Sequence, residues 1–174
     1  MQGTIPSVTD PDLSPRSPLW LAFEAASDMM ALMRVESGPV FRIVAVNPAF
    51  LRSVQADGFG ITQADLVDHT LADAVQHFSL APREVDQLLQ RYKSVVEQRL
   101  PLQFEVALTT PSGIHSGHLR LTPILDVEGR CQYVLYSSCD TTERTRALNM
   151  LNQSEEKFAR VPVDPGRHVH LATE

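Results

Sequence analysis

The stretch Leu119–Arg160 constrains the fold of this chain more than any other segment. Two β-rich segments, Leu119–Asp126 and Cys131–Ser138, flank the polar turn Asp126-Val127-Glu128-Gly129, and this pattern predicts a β-hairpin. From Thr142 the residues are good to fair helix formers, and neither Gly nor Pro occurs through the end of the stretch. A strand that leads directly into a polar helix is typical of a connector to another domain, and we expect that role here.

Upstream of the hairpin, the sequence predicts further strands and several helices. Asn47-Pro48 predicts a helix start, because Asn accepts from free N–H groups and Pro needs no N–H partner at the first helical position. Pro82 begins the most strongly patterned helix, whose apolar stripe is Val85, Leu88, Leu89, Tyr92, Val95 and Val96. The predicted strands are Met29–Val35, Phe41–Val46, Leu102–Thr109, His115–Ile124 and Cys131–Ser138. Helices gathered between a leading hairpin and a trailing meander predict an α+β fold with an antiparallel sheet.

The bulk properties of the chain argue against several classes of protein. A net charge of −6 without any basic run argues against nucleic acid as a partner. No apolar run approaches the roughly 20 residues of a membrane helix, and the N-terminus lacks a signal-peptide core. Cys131 and Cys139 are separated by about 26 Å along one predicted strand and cannot pair within it, which favours buried thiols in a reducing compartment. We expect a single cytoplasmic domain without direct membrane contact.

Five short motifs occur in an order and spacing that resemble those of a PAS domain, the sensor module of bacterial signalling proteins. They are V-N-P-A-F-L (46–51), D-L-V-D-H-T-L (65–71), Y-K-S-V-V-E-Q-R-L-P-L-Q-F-E (92–105), L-T-P-I-L-D-V-E-G-R (121–130) and D-T-T-E-R (140–144). The resemblance implies a five-stranded antiparallel sheet, with short helices and one long helix enclosing a cavity against one face.

Together, the patterns and the resemblance divide the chain into five parts. These are a disordered leader (1–17), an N-terminal docking or dimerisation helix (18–28), a PAS core (29–140), a C-terminal signalling helix (141–160) and a disordered tail (161–174). A helix as short as the first is unstable alone, so it must dock on its own sheet or on that of a partner.

The resemblance also implies two functional surfaces. Asp140, Thr142 and Arg144 match the junction through which such domains act on an effector, here a histidine kinase or a cyclic-dinucleotide enzyme in the parent protein. The alternative is that these residues only cap the following helix. A homodimer interface is expected at Trp20 and Phe23 of the N-terminal helix and at Leu148 and Leu151 of the C-terminal helix. On the C-terminal helix, the a and d positions of a coiled coil are apolar for one heptad only.

The residues argue against the best-known cofactors of PAS domains, so no cofactor is assigned. Light-sensing flavin members carry a reactive Cys in a helix whose counterpart here has none. Haem members need an axial His, and the long helix contains none, which leaves His77 or His69 as substitutes. His115 and His118 fall on opposite faces of one strand, so no metal site is expected.

A small ligand or a plain packed core remains. The candidate pocket residues are Phe50, Leu71, His77, Tyr92, Phe104, Leu121, Tyr133 and Leu135, although their apolar members would equally serve a hydrophobic core. Catalysis would require acid–base or nucleophilic groups that converge on the cavity, and the sequence contains no such constellation. We therefore expect a non-catalytic sensory module, with a haem- or flavin-bearing sensor or a small α+β enzyme as alternatives.

Overall fold

The computed structural model describes residues 17–38, 40–78 and 80–159, with side chains through residue 152. The predicted tail and nearly all of the predicted leader lie outside the described residues. The helices are α1 (Pro18–Ala25), α2 (Pro48–Ala56), α3 (Leu71–Ala74), α4 (Pro82–Gln98) and α5 (Thr142–Ala159), and single 3₁₀ turns span Gln63–Asp65 and Val75–Phe78. The strands are β1 (Met29–Glu36), β2 (Val40–Val46), β3 (Leu102–Thr110), β4 (Gly113–Leu125) and β5 (Cys131–Asp140). The chain divides after Thr141 into two compact units, and α5 belongs to the second.

The five strands form one antiparallel sheet in the order β2-β1-β5-β4-β3. This arrangement confirms the predicted α+β class and the predicted five-stranded sheet. Strand β5 lies at the centre, paired with β1 on one side and with β4 on the other. The hairpin that the sequence predicts most strongly therefore supplies the middle of the sheet and leads directly to α5.

The larger apolar core covers the inner face of the sheet, where the helices between β2 and β3 pack. Its fully buried members include Leu66, Tyr92, Val95, Leu121 and Val134. Packing of this kind is the dominant favourable contribution to folding, at roughly 25 cal/mol per Å² of apolar surface removed from water. The inner face is also where a cavity forms.

A second, smaller core covers the outer face of the sheet. Trp20 and Phe23 of α1 pack there against Leu32, Ala45 and Tyr133 of the same chain. The two aromatic rings lie 5.6 Å apart, centroid to centroid. Of the two docking sites expected for the N-terminal helix, the structure therefore shows the one on its own sheet.

Asn47 connects the two faces at the start of α2. Its side chain is fully buried, and its Oδ1 accepts from Phe50 N and from Met30 N, each at 2.9 Å. Its Nδ2 donates to the carbonyls of Phe23 at 3.2 Å and Asp28 at 2.9 Å. The predicted helix cap is confirmed, and the same amide also holds β1 and the end of α1 in place.

Candidate functional site

A cavity of about 320 Å³ lies between the inner face of the sheet and the helices. That volume is at the lower end of the range typical of small-molecule pockets, about 300–1,000 Å³. Most of its lining is apolar, and it comes from β1, β2, α2, the Asp57–Phe59 loop, α3, α4, β3, β4 and β5. The site is therefore built by all five strands and by the helices between β2 and β3, rather than by one motif.

The period of the strands explains why the lining is apolar. In β3, the half-buried Phe104, Val106 and Leu108 line the cavity, whereas Gln103, Glu105 and Thr109, which alternate with them, are exposed; Ala107 is exposed but also contributes to the lining. Alternate residues of a strand point to opposite faces, so one apolar series meets the cavity and the polar series meets water. The alternation of apolar and polar residues that the sequence predicts for β3 therefore explains why this strand gives the cavity an apolar wall.

Aromatic rings shape the cavity. Phe50 and Tyr136 meet edge to face at 6.0 Å between centroids, and Phe59 and Phe78 do so at 5.2 Å. Burial raises the pKa of Tyr92 and raises that of Tyr136 to about 12. Both phenols are therefore neutral at physiological pH and add no charge to the cavity wall.

Besides the two tyrosines, four polar side chains interrupt the apolar lining: Asp57, Glu84, Gln87 and Arg91. The last three lie on α4, within two turns of each other. The Arg91 guanidinium carbon stands 3.8 Å from the centre of the Phe104 ring, a cation–π contact across the gap between α4 and β3. The sequence pattern does not predict this polar group as part of a pocket, although its residues directly flank the apolar stripe of α4.

A short bridge connects the loop after α2, which contributes Asp57 to the cavity lining, with the β3–β4 turn and the start of β4. Ser112 N donates to the Asp57 carbonyl at 3.3 Å, and His115 Nδ1 lies 3.5 Å from an Asp57 carboxylate oxygen. Ser112 Oγ contacts His115 Nε2 at 2.9 Å. At Gly58 an added Cβ would lie 3.1 Å from Pro111 Cβ, so the two segments touch closely. Burial raises the pKa of Asp57, while His115 acts in the opposite direction.

Four of the apolar residues predicted to contact a ligand line the cavity: Phe50, Leu71, Tyr92 and Phe104. Leu121 is fully buried in the inner core, but it is not part of the cavity wall. Whether these residues contact a ligand stays a prediction.

Two apolar candidates lie on the wrong face of the sheet. Tyr133 and Leu135 pack in the outer core beneath α1, whereas Val134 and Tyr136 of the same strand face the inner core. The prediction of which β5 side chains face the cavity was therefore shifted by one residue. Both faces of this central strand are apolar, so the sequence pattern does not distinguish them.

The histidines considered as haem ligands lie away from the cavity. His77 is exposed and outside the lining, which corrects its assignment as a pocket residue, and His69 is exposed with its Nδ1 3.1 Å from the Val67 carbonyl. The described lining contains no histidine and no cysteine, so the donors that most often ligate haem iron are missing from the wall. No cluster of three or more metal-ligating side chains occurs among the described residues. Cys131 is half-buried and Cys139 is exposed.

The residues assigned to signal transfer and dimerisation have defined positions. Asp140 ends β5, Thr142 begins α5, and Arg144 lies in the first turn of α5. Leu148 and Leu151 on α5 are 50% and 55% exposed. Their functional roles, like those of Trp20 and Phe23 at a dimer interface, stay predictions.

No helix in the described part of the chain is long and apolar enough to cross a membrane.

Several solved structures resemble this fold at low sequence identity. The PAS domain of Bordetella pertussis BvgS is 18% identical with a TM-score of 0.60, over 80% of this chain and 95% of that one. An RNA-binding light-oxygen-voltage receptor is 21% identical with a TM-score of 0.59, over 92% of this chain, which spans less than half (43%) of that receptor. A sensory box histidine kinase/response regulator from Burkholderia thailandensis is 20% identical with a TM-score of 0.52, over 83% of this chain and 100% of that one.

The family comparison covers most of the folded chain. No curated protein matches the sequence. The family model described as the PAS fold matches residues 23–146, which extend from the end of α1, through all five strands and the cavity, into α5. With the sheet order and the helices on its inner face, this match shows that the chain belongs to the PAS family.

Proposed function

We propose that this PAS domain is a non-catalytic sensor that binds a small apolar ligand in its cavity and relays occupancy through α5 to an effector. The observation that carries the proposal is the cavity of about 320 Å³, which is lined mainly by apolar side chains in a chain of the PAS family. Apolar walls with a few polar groups are characteristic of ligand pockets. A packed core without a ligand would be expected to close such a space, because cavities destabilise proteins.

The proposed relay uses the central strand. Tyr136 of β5 lines the cavity, and the strand continues only to Asp140 before α5 begins at Thr142. A ligand that shifts Tyr136 would therefore act on a segment a few residues from the helix. We propose that Asp140, Thr142 and Arg144 form this junction. A histidine kinase is the favoured effector, since a sensory box histidine kinase/response regulator shares the fold, and a cyclic-dinucleotide enzyme is the alternative.

The proposal includes a homodimer. Trp20 and Phe23 are only half-buried on their own sheet, and the neighbouring Leu19 and Leu21 are 67% and 56% exposed. Exposed apolar side chains on one short helix, together with Leu148 and Leu151 on α5, provide surface that a second copy could cover.

The absence of converging reactive groups supports a non-catalytic role. The described cavity lining contains no Ser, Thr, Cys, Lys or His that could act as a nucleophile or as an imidazole base. Its carboxylates have other partners: Glu84 accepts from the Ala81 N–H, and Asp57 lies beside His115.

Thermal unfolding with a neutral apolar probe, 1-octanol, tests the proposal. A ligand at a hundred times its dissociation constant stabilises the native state by about 2.7 kcal/mol, which should raise Tm by roughly 5–10 °C in a domain of this size. The variant Val106→Trp fills the cavity and should abolish the shift. Gln103→Trp, on the exposed face of the same strand, is the matched control and should retain it. An unchanged Tm for the wild type, or equal shifts in both variants, would contradict the proposal. A visible absorption spectrum of the purified protein identifies a bound haem or flavin if one is present.

A further inference from the structure

We propose that the ligand is a small monocarboxylate with an apolar body, and that its carboxylate binds Arg91 at the rim of the cavity. This inference rests on the proposed ligand-binding function and adds the charge and chemical class of the ligand.

Arg91 lies against an aromatic ring, and no described acidic side chain pairs with it. Its guanidinium stands 3.8 Å from the centre of the Phe104 ring, and both residues line the cavity. Among the described residues Arg91 forms no ion pair, unlike Arg34, Arg42 and Arg130. A guanidinium that is oriented by an aromatic ring keeps its N–H fork available for a planar anion, which it binds through two parallel hydrogen bonds.

The two carboxylates in the cavity lining have contacts of their own. Glu84 Oε2 accepts from Ala81 N at 2.8 Å, where it caps the start of α4. An Asp57 carboxylate oxygen lies 3.5 Å from His115 Nδ1. The remaining polar member, Gln87, is a neutral amide that can donate a further hydrogen bond. Of the three charged side chains in the described lining, Arg91 is therefore the one that has neither a hydrogen bond nor an ion pair, and its N–H groups are the ones left to bind an anion.

The rest of the cavity determines the body of the ligand. Most of the remaining lining is apolar, and it includes Leu88, Val106, Leu108 and Phe78. A highly charged or polyhydroxylated anion would lose its hydration there without compensating hydrogen bonds. A single carboxylate at one end of a short apolar chain satisfies both regions of the cavity.

A different role for Arg91 predicts a different ligand preference. A long cationic side chain can simply cover an aromatic ring while its head stays in water. In that case the charge would not contribute to binding, and acids and alcohols of equal length would bind alike.

Titration calorimetry of the full chain with three probes of matched length, octanoate, 1-octanol and octylammonium, separates these cases. For the wild type, octanoate is expected to bind at least tenfold more tightly than octanol, and octylammonium more weakly than octanol, because a guanidinium donates charge-assisted hydrogen bonds to a carboxylate and repels an ammonium group. Arg91→Gln should weaken octanoate about tenfold and leave octanol unchanged. Arg83→Gln, an exposed arginine on the same helix outside the lining, should change neither.

A second variant separates the loss of the charge from the loss of the packing of the Arg91 side chain. Arg91→Lys keeps the positive charge but lacks the planar fork, so octanoate should remain preferred by a smaller factor. Equal binding of octanoate and octanol, or no effect of Arg91→Gln, would overturn the carboxylate assignment while leaving the cavity as a binding site. If none of the three probes binds, both the carboxylate assignment and the proposed ligand-binding function fail.

Discussion

Replacing Asn47 with Ala should be among the most damaging single changes in the protein. The side chain is fully buried and makes four hydrogen bonds, two as acceptor and two as donor. Its partners belong to α1, to the segment before β1, to β1 itself and to α2. The substitution therefore removes one group that four segments share.

The expected cost follows from these four bonds. A typical intramolecular hydrogen bond contributes about 0.5–1.5 kcal/mol net, and a buried group left unpaired costs about 1–3 kcal/mol. The N–H groups of Met30 and Phe50 lose their partner at a buried site, whereas movement of α1 would let water reach the carbonyls of Phe23 and Asp28. We therefore expect a loss of about 4 kcal/mol, a large fraction of the 5–15 kcal/mol that typical domains have.

Thr70→Ala is the matched control, because Thr70 also caps a helix. Its side chain accepts from Asp73 N at 3.2 Å, but the bond is exposed, so the expected loss is only about 1 kcal/mol. Asn47→Asp tests only the two hydrogen bonds that the Asn47 amide donates, to the carbonyls of Phe23 and Asp28. It keeps the shape and the acceptor oxygen, but it places an oxygen opposite the two carbonyls. The introduced carboxyl must protonate to fit, so its stability deficit should shrink as the pH falls.

Urea unfolding followed by two probes measures these losses. Far-UV circular dichroism reports the whole domain, and fluorescence of Trp20, the only tryptophan, reports the docking of α1. The two transitions should coincide in the wild type, and the slope m should stay unchanged in Thr70→Ala. A loss below about 1 kcal/mol in Asn47→Ala, or a loss no larger than that of Thr70→Ala, would refute the reasoning.

Three further changes test other parts of the account. Arg99 caps α4 in the left-handed region at φ 57°, so Arg99→Gly should not destabilise and should raise the unfolding free energy by up to about 1 kcal/mol in urea; a loss would contradict the strain argument. Hydrogen bonds from Arg130, first from its backbone N–H and second from its side chain, lower the pKa of Asp126 below the ordinary 3.8. The Asp126 carboxylate therefore stabilises the hairpin above pH 3.8, and this stabilisation is lost as the pH falls through the lowered pKa. Asp126→Ala should thus be less stable than the wild type at pH 7, with the gap closing in acid; a gap independent of pH would be inconsistent with this mechanism. Trp20→Ala with Phe23→Ala should give a folded monomer less stable by about 3 kcal/mol, since two half-buried rings leave the outer core; a dimer mass by light scattering would reject the proposed interface.

Much of the fold could be predicted from the sequence because local signals agreed with tertiary packing. Asn47-Pro48 and Pro82 mark helix starts that the structure confirms. The alternation in β3 predicts which of its faces is buried, because β3 is an edge strand whose other face is polar. In each of these cases, one physical requirement leaves a distinct pattern of residue types.

The faces of β5 could not be predicted in the same way. Val134 and Tyr136 face the inner core, while Tyr133 and Leu135 face the outer core, so all four positions are apolar. The outer face is apolar only because α1 docks on it, and that contact joins segments far apart in sequence. A pattern within one strand carries no information about which helix covers which face.

The polar rim of the cavity was missed for a related reason. Glu84, Gln87 and Arg91 have the same appearance in the sequence as charged residues on a solvated helix face. Arg91 becomes part of the cavity because β3 places Phe104 opposite it, 3.8 Å from its guanidinium carbon. Its place in the cavity lining depends on a long-range contact that the local pattern does not encode.

Native mass spectrometry of the purified full chain tests the central claim, that the cavity holds a small molecule, most directly. The account predicts that the wild type and Gln103→Trp carry the added mass of a small bound species, retained from the host or taken up from added octanoate, and that Val106→Trp does not. A wild-type spectrum with only the bare protein mass, even after incubation with octanoate and with 1-octanol, would contradict the claim. The same result would leave dimerisation and core packing as the remaining roles of this domain.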